Sequence, residues 1–190
     1  MFLSPIWGER LGEGASKAVA SPATPSPNLS PNGGEELESE MCPLRTYSLA
    51  LPDEAATERL GAALAGRLRP GDMVALQGGL GAGKTTLARA VLRAASGDPA
   101  LIVPSPTFTL VEVYDTPRGA YWHFDLYRLE SPDQVLELGW EEARADGVAL
   151  VEWAERLGPL MPAERLAVSL AIEGAGRRAD IDGDARFAGL

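Results

Sequence analysis

Cysteine, histidine and lysine are scarce in this sequence, and each scarcity excludes a kind of site. The 190 residues include one cysteine, Cys42, so no internal disulfide forms and we expect a reducing, cytoplasmic setting. The single histidine, His123, excludes a metal site built from several histidines. Apolar runs of membrane-spanning length are also missing, and the N-terminus lacks the basic and apolar regions of a secretory signal. We therefore expect no membrane association.

Basic side chains are fewer than acidic ones, 17 against 27, so the net charge of the chain is −10. Residues 1–40 carry six acidic and two basic side chains, which leaves about −6 for residues 41–190. Such a surface repels a phosphate backbone. We expect no tight direct binding to DNA or tRNA, so any role on RNA would depend on a partner.

The single lysine after residue 41, Lys84, lies in a glycine-rich loop. The loop matches the phosphate-binding pattern, with Gly78, four further residues, then Gly83, Lys84 and Thr85. An apolar stretch of strand length precedes the loop, and residues 85–92 have helical periodicity. Backbone N–H groups and the positive end of a helix are what a nucleotide triphosphate needs. The sequence therefore predicts a nucleotide site, with Lys84 on the β- and γ-phosphates.

Other residues of this loop have separate expected roles. Gly81 and Gly83 allow the backbone to approach the phosphates. The Thr85 hydroxyl is a candidate ligand of Mg²⁺, and Thr86 would face the α-phosphate or be an ordinary helix residue.

Two parts of the chain differ in composition. Residues 1–40 are rich in proline, serine and glycine without a hydrophobic period, so we expect a disordered extension, and Met41 is a candidate for the true start. Residues 41–190 predict one α/β domain, a P-loop NTPase-like three-layer sandwich with a mixed, mainly parallel sheet. The sheet is mixed because a hairpin turn at residues 115–119 joins antiparallel strands. One helical stretch is predicted over residues 132–140.

Two acids and one threonine are the further catalytic candidates. Glu152 ends a buried apolar strand, and Asp125 ends a strand of more mixed character. One carboxylate would hold Mg²⁺ through water while the other orients the attacking water. Thr107 lies in a proline-stiffened loop where a sensor of the γ-phosphate is expected. His123 is interpreted as a packed core or edge residue and not as a base.

Aromatic and arginine side chains are weaker candidates. Trp122, Trp140 and Trp153 are most simply core or interface aromatics, although Trp153 follows Glu152 and could cover the site. Arg128 and Arg177 are candidate phosphate or partner contacts, as is Arg165, but an exposed arginine is usually only solvated.

Four segments in one order carry a resemblance to a known family. They are Leu-Gly-Ala-Gly-Lys-Thr-Thr at 80–86, Ser-Pro-Thr-Phe-Thr-Leu-Val at 105–111, His-Phe-Asp-Leu-Tyr-Arg-Leu at 123–129 and Val-Glu-Trp at 151–153. Together they resemble the bacterial tRNA threonylcarbamoyladenosine biosynthesis protein TsaE, over about residues 47–181. The chain departs from this family at Gly79, which is often acidic there, and in its long N-terminal extension.

The resemblance implies a small cytoplasmic ATPase that is required for threonylcarbamoyladenosine modification of tRNA. It implies action through a TsaB–TsaD heterodimer, with tRNA contacted only indirectly. By position, ATP would be bound by Leu80, Gly81, Ala82, Gly83, Lys84 and Thr85. Thr85 and Glu152 would hold Mg²⁺, Asp125 would be needed for activity, and Thr107 would lie in a switch-like loop. Residues 53–57, and less directly 176–177, would lie on the adenine side.

Three other functions are weighed against this one. A small-molecule kinase would need an acceptor pocket and an arginine-rich lid, and no lid insertion is visible. A GTPase normally recognises guanine with an Asn-Lys-x-Asp segment, which a chain without lysine after Lys84 does not contain. An ATP-gated assembly module without necessary hydrolysis also remains open.

Overall fold

The computed structural model describes residues 45–190. The expectations for residues 1–40, disorder and a start at Met41, therefore lie outside the described residues. So does Cys42.

The described residues form seven strands, three α-helices and three short 3-10 helices. The strands are β1 (Arg45–Leu51), β2 (Met73–Gln77), β3 (Val111–Thr116), β4 (Gly119–Asp125), β5 (Gly147–Glu152), β6 (Leu166–Glu173) and β7 (Gly176–Gly183). The α-helices are α1 (Glu54–Ala65), α2 (Lys84–Ser96) and α3 (Trp140–Asp146), and the 3-10 helices are Pro132–Leu138, Ala154–Leu160 and Ala185–Phe187.

All seven strands belong to one mixed sheet in the order β1-β7-β6-β2-β5-β4-β3. The three central ladders, which join β6, β2, β5 and β4, are parallel. The three outer ladders are antiparallel. Five of the seven strands therefore run in the same direction, and the predicted mixed, mainly parallel sheet is confirmed.

Helices cover both faces of this sheet, as the predicted three-layer sandwich requires. Alternate residues of β2 point to opposite faces. Val74 and Leu76 pack with α1 and α2, whereas Met73 and Ala75 pack with α3 and the 3-10 helices beside it. Each strand at the centre is consequently buried on both sides, which explains its continuous apolar sequence.

The prediction of one helix over residues 132–140 is wrong. The segment forms the 3-10 helix Pro132–Leu138, and α3 begins only at Trp140. Gly139 between them has a left-handed backbone with φ of 81°. A Cβ at this position would lie 2.6 Å from the Trp122 ring, so glycine both ends the first helix and admits the indole.

Parallel order brings the carboxyl ends of the central strands to one edge of the sheet. The loop after β2 emerges there, and Glu152 at the end of β5 pairs with Leu76 of β2 and Asp125 of β4. Ligands of open α/β sheets bind at this edge. Within residues 45–190, none of the helices has the length and apolarity needed to cross a membrane.

Candidate functional site

The glycine loop between β2 and α2 has the backbone that its sequence predicts. Gly78, Gly81 and Gly83 all have positive φ, at 133°, 76° and 108°. A Cβ on Gly78 would lie 2.3 Å from the Leu170 carbonyl oxygen, whereas none of the described atoms comes within 4 Å of a Cβ on Gly81 or Gly83. Gly78 is thus fixed by packing against β6, and the other two glycines leave open space in front of the loop.

Helix α2 presents its N-terminus to this open space. Gly83 is its N-cap and has no side chain to satisfy the first amides. The unpaired N–H groups and the helix dipole give this end a partial positive charge. The arrangement favours an anionic ligand at the loop.

Lys84 folds back over its own loop. Its Nζ donates to the carbonyl oxygens of Gly78 and Gly79 at 2.8 and 3.0 Å. The same atom lies 3.8 Å from the centroid of the Trp153 ring. Burial lowers the Lys84 pKa below its usual value, and nearby acids, led by Glu152, oppose this shift. The ammonium is therefore held at the loop by groups that carry no full negative charge.

Glu152 is buried at the carboxyl end of β5, and each of its oxygens has a partner. Oε2 accepts a hydrogen bond from Thr85 Oγ1 at 2.9 Å. Oε1 lies 2.9 Å from His123 Nε2. The carboxylate thus connects the first turn of α2 to strand β4.

Asp125 lies opposite Glu152 in the sheet but has different partners. Its Oδ2 accepts from Ser105 Oγ at 2.9 Å and from Thr107 Oγ1 at 2.7 Å. Its Oδ1 accepts from the backbone N–H of Tyr127 at 3.1 Å. Asp125 therefore ties the loop before β3 to the sheet, whereas Glu152 contacts the helix that follows the glycine loop.

These side chains surround a cavity of about 310 Å³. It is lined by Leu80, Gly81, Gly83, Lys84, Thr85, Thr86, Ser105, Thr107, Asp125, Tyr127, Glu152 and Trp153. Every predicted site residue except Ala82 is in this set. Ala82 is buried and lines a neighbouring cavity of about 290 Å³.

The second cavity lies on the other side of the glycine loop. Asp53, Thr57 and Arg177 line it together with Gly81 and Thr86, which also line the first cavity. Arg177 Nη2 donates to the Gly81 carbonyl at 3.3 Å. The structure thus brings the segments predicted for the adenine side next to the phosphate loop.

Several features of the site were missed in the sequence. Ser105 is a site residue beyond the sequence candidates, although Ser105 and Thr107 are two residues apart, a spacing that places both side chains on one side of an extended segment. His123 was interpreted as a core residue. It is fully buried, but its contact with Glu152 depends on strand register, which carries no local signal.

Of the other aromatic and basic candidates, some line the cavity and some lie elsewhere. Trp153 lines the cavity, and its ring is 5.0 Å from that of Tyr127. Trp122 and Trp140 pack in the core, as predicted. Arg128 lies over the exposed Phe108 ring, and Arg165 donates to nearby backbone carbonyls.

The fold and the site define a P-loop nucleotide-binding protein of the α/β class. Residues 51–179 match the family model described as Threonylcarbamoyl adenosine biosynthesis protein TsaE. The chain belongs to the TsaE family, and the resemblance stated from its motifs is confirmed.

Individual relatives agree with the family model. A protein of Rickettsia felis named tRNA threonylcarbamoyladenosine biosynthesis protein TsaE is 40% identical over 124 residues, which are 65% of this chain and 72% of the relative. A protein of the same name from Nostoc is 38% identical over 133 residues, covering 67% and 80%. The crystal structure of Bacillus subtilis YdiB superposes with a TM-score of 0.61 at 25% identity, covering 75% of this chain and 88% of YdiB.

Proposed function

We propose that this chain binds ATP with Mg²⁺ at residues 78–86, hydrolyses it, and so supports threonylcarbamoyladenosine modification of tRNA. One observation carries the proposal: the Thr85 hydroxyl lies 2.9 Å from Glu152 Oε2 directly behind the glycine loop. A threonine hydroxyl and a strand-end carboxylate are the groups that hold Mg²⁺ in P-loop NTPases. Membership of the matching family, together with relatives named tRNA threonylcarbamoyladenosine biosynthesis protein, supports the role in tRNA modification.

The donor groups fit Mg²⁺. This ion prefers oxygen ligands and keeps several waters, so two protein oxygens, from Thr85 and Glu152, are sufficient. Residues 45–190 contain no group of three or more His, Cys, Asp or Glu side chains that could hold a metal ion, so the proposed ion would depend on waters and phosphate oxygens for its other ligands. When bound, Mg²⁺ supplies positive charge to the phosphate oxygens.

The remaining loop residues suit the triphosphate. Phosphate oxygens would replace the carbonyl partners of Lys84 with full negative charges, which an ammonium binds more strongly. Leu80, Gly81, Ala82 and Gly83 would supply the backbone around them, and the second cavity would take the adenine side.

We assign different roles to the two carboxylates. Glu152 contacts Thr85 and would act at the metal, whereas Asp125 contacts Ser105 and Thr107. Asp125 would hold this loop where Thr107 can reach the γ-phosphate, and would orient the attacking water. The hydrogen-bond partners support the metal role of Glu152 and the loop-holding role of Asp125, and the water-orienting role is given to Asp125 as the other of the two expected roles.

A TsaB–TsaD heterodimer is the proposed partner, with tRNA contacted only through it. The charge of about −6 on residues 41–190 opposes direct tRNA binding. Leu80, which lines the cavity, and Phe108, which follows Thr107, are both more than four-fifths exposed and are therefore accessible to a partner. A cytoplasmic setting fits this role, because tRNA is modified there.

Glu152→Gln tests the proposal, with Glu141→Gln as a control that removes an exposed acid on α3. The glutamine keeps the shape but loses the charge, so we expect ATP hydrolysis to fall about 10²-fold. Nucleotide affinity without Mg²⁺ should stay within about twofold, and the control should match the unmodified chain.

The same proteins are tested for ATP-dependent association with a TsaB–TsaD pair. Failure of the unmodified chain to bind ATP or to associate would contradict the proposal. A Glu152→Gln chain that fully supports tRNA modification without turnover would favour the ATP-gated module instead.

A further inference from the structure

His123 and Glu152 form a buried pair beneath the proposed metal position. Their side chains are 0% and 3% exposed, and His123 Nε2 lies 2.9 Å from Glu152 Oε1. A buried carboxylate is costly unless both oxygens are hydrogen-bonded. Thr85 donates to one oxygen, and His123 faces the other. The Glu152 carboxylate is therefore held from two directions.

Strand geometry explains how the imidazole reaches this carboxylate. Tyr121, His123 and Asp125 lie on one face of β4, because alternate residues of a strand share a face. Asp125 pairs with Glu152 in the parallel ladder, and His123 pairs with Leu150 two residues earlier. The ring therefore extends diagonally from β4 towards the end of β5.

The hydrogen bond has a defined direction. A carboxylate oxygen accepts and an imidazole N–H donates, so we assign Nε2–H as the donor and Oε1 as the acceptor. Nδ1 is buried and has no hydrogen-bond partner among the described residues. An unpaired buried N–H at Nδ1 would cost more than an unpaired lone pair, which favours the tautomer with its proton on Nε2.

The ring itself has no access to the cavity. His123 is fully buried and is not among the cavity-lining residues, whereas Asp125 and Glu152 are. It thus has no contact with a nucleotide or an attacking water. Any effect of His123 on the site must pass through Glu152.

We propose that His123 is a positioning residue: its Nε2–H holds Oε1 of Glu152, so that Oε2 stays directed at Thr85 and the cation. The inference rests on the proposed function and adds a residue to it. Groups that orient a metal-binding carboxylate usually contribute 10- to 100-fold in metal affinity or activity. A free glutamate side chain would divide its time among several rotamers.

The experiment compares His123→Leu, His123→Gln and Tyr121→Phe. Leucine removes the donor, whereas the glutamine amide nitrogen can take the place of Nε2. Tyr121→Phe is the matched control, because it deletes a buried polar atom on the same face of β4 that has no hydrogen-bond partner among the described residues.

Calorimetry measures ADP affinity with and without Mg²⁺, so the readout is binding and not turnover. We expect His123→Leu to reduce the enhancement of affinity by Mg²⁺ about tenfold or more. Metal-free affinity should stay within about twofold. His123→Gln should recover most of the loss, and Tyr121→Phe should bind as the unmodified chain does.

Repeating His123→Leu in a Glu152→Gln background makes the test independent of folding losses. With glutamine at position 152, the leucine at position 123 leaves no buried negative charge without its donor. There is also no carboxylate for residue 123 to orient. The leucine should therefore cause no further change in the effect of Mg²⁺ there.

Three results would each overturn the inference. His123→Leu could reduce ADP affinity equally with and without Mg²⁺, or His123→Gln could recover none of the lost Mg²⁺ effect. His123→Leu could also reduce the Mg²⁺ effect as much in the Glu152→Gln background as in the unmodified chain. If the unmodified chain bound no ADP at all, the proposed function would fail first, so the two failures are distinguishable.

Discussion

Replacing Ser105 by alanine and Thr107 by valine, singly and together, tests how the loop before β3 is held on the sheet. Both hydroxyls donate to the same oxygen, Oδ2 of Asp125, at 2.9 and 2.7 Å. They also lie 2.9 Å from each other. Asp125 is only 3% exposed, so water does not readily replace a lost donor.

The shared acceptor predicts a non-additive cost. Either single replacement leaves Oδ2 with one donor and should cost about 1 kcal/mol, the usual net value of a hydrogen bond. The double replacement removes both donors from a buried carboxylate oxygen, which adds a penalty of about 1–2 kcal/mol. We therefore expect about 3–4 kcal/mol for the pair, with a coupling of about 1–2 kcal/mol.

Hydrogen exchange of the Leu110 amide measures this cost, because that amide is bonded to the Pro106 carbonyl within the loop. Its protection should fall about fivefold in each single variant and more than about a hundredfold in the double variant. Thr109→Val is the control, since Thr109 is exposed and its hydroxyl makes a solvent-exposed hydrogen bond to Glu112, and the replacement should cost less than about 0.5 kcal/mol.

Additive losses would refute this reasoning. A double variant that costs no more than the sum of its parts, within about 0.5 kcal/mol, would mean that Asp125 does not couple the two hydroxyls.

Two further predictions concern the glycine loop. Gly78→Ala should weaken nucleotide binding at least about tenfold, because the added Cβ would lie 2.3 Å from the Leu170 carbonyl oxygen and the backbone φ is positive. Gly79→Ala is the control and should be tolerated, because a Cβ there meets open space. Calorimetry compares the nucleotide affinities of the two variants. Nucleotide affinity should also fall as the pH rises through the lowered pKa of Lys84, because bound phosphates favour the charged form of Lys84. Binding near this pKa should therefore take up a proton. Calorimetry in buffers of different ionisation enthalpy measures the proton uptake.

Each of these two predictions has a contrary outcome. Equal affinities of the two alanine variants would mean that the contact with β6 does not shape the loop. A proton release on binding, or an affinity that rises in the alkaline range, would mean that Lys84 does not meet the phosphates. In the free chain the same lowered pKa makes charged Lys84 cost stability at every pH below its folded-state pKa, and this cost is relieved as the pH rises from the folded-state pKa to the higher unfolded value.

The phosphate loop and the two acids could be predicted because their signals are local. Glycine spacing fixes the loop backbone, and an apolar run that ends in an acid marks a strand delivering Glu152 to the sheet edge. The same local reasoning failed over residues 132–140. Apolar spacing there fits a continuous helix, but Gly139, with its left-handed backbone, ends the first helix and breaks the run.

The partners of the two acids could not be predicted, because they depend on contacts between distant segments. Hydrophobic alternation indicates that His123 is buried, but only the register of β4 against β5 brings it to Glu152. Trp153 is a second case. Its φ of 57° is unusual for a bulky residue, and this left-handed turn, which accompanies its approach to Lys84, has no sequence signal.

The pairing of β4 with β5 also determines where the chain can change in length. One residue inserted between Gly119 and His123 would turn every side chain beyond it in β4 to the opposite face of the sheet. His123 and Asp125 would then leave the site together, although no functional residue had been replaced. An insertion at Pro117 or Arg118, in the turn of the preceding hairpin, would instead extend a surface loop and preserve the register. A family alignment should accordingly contain gaps at the hairpin tip and none between it and Asp125.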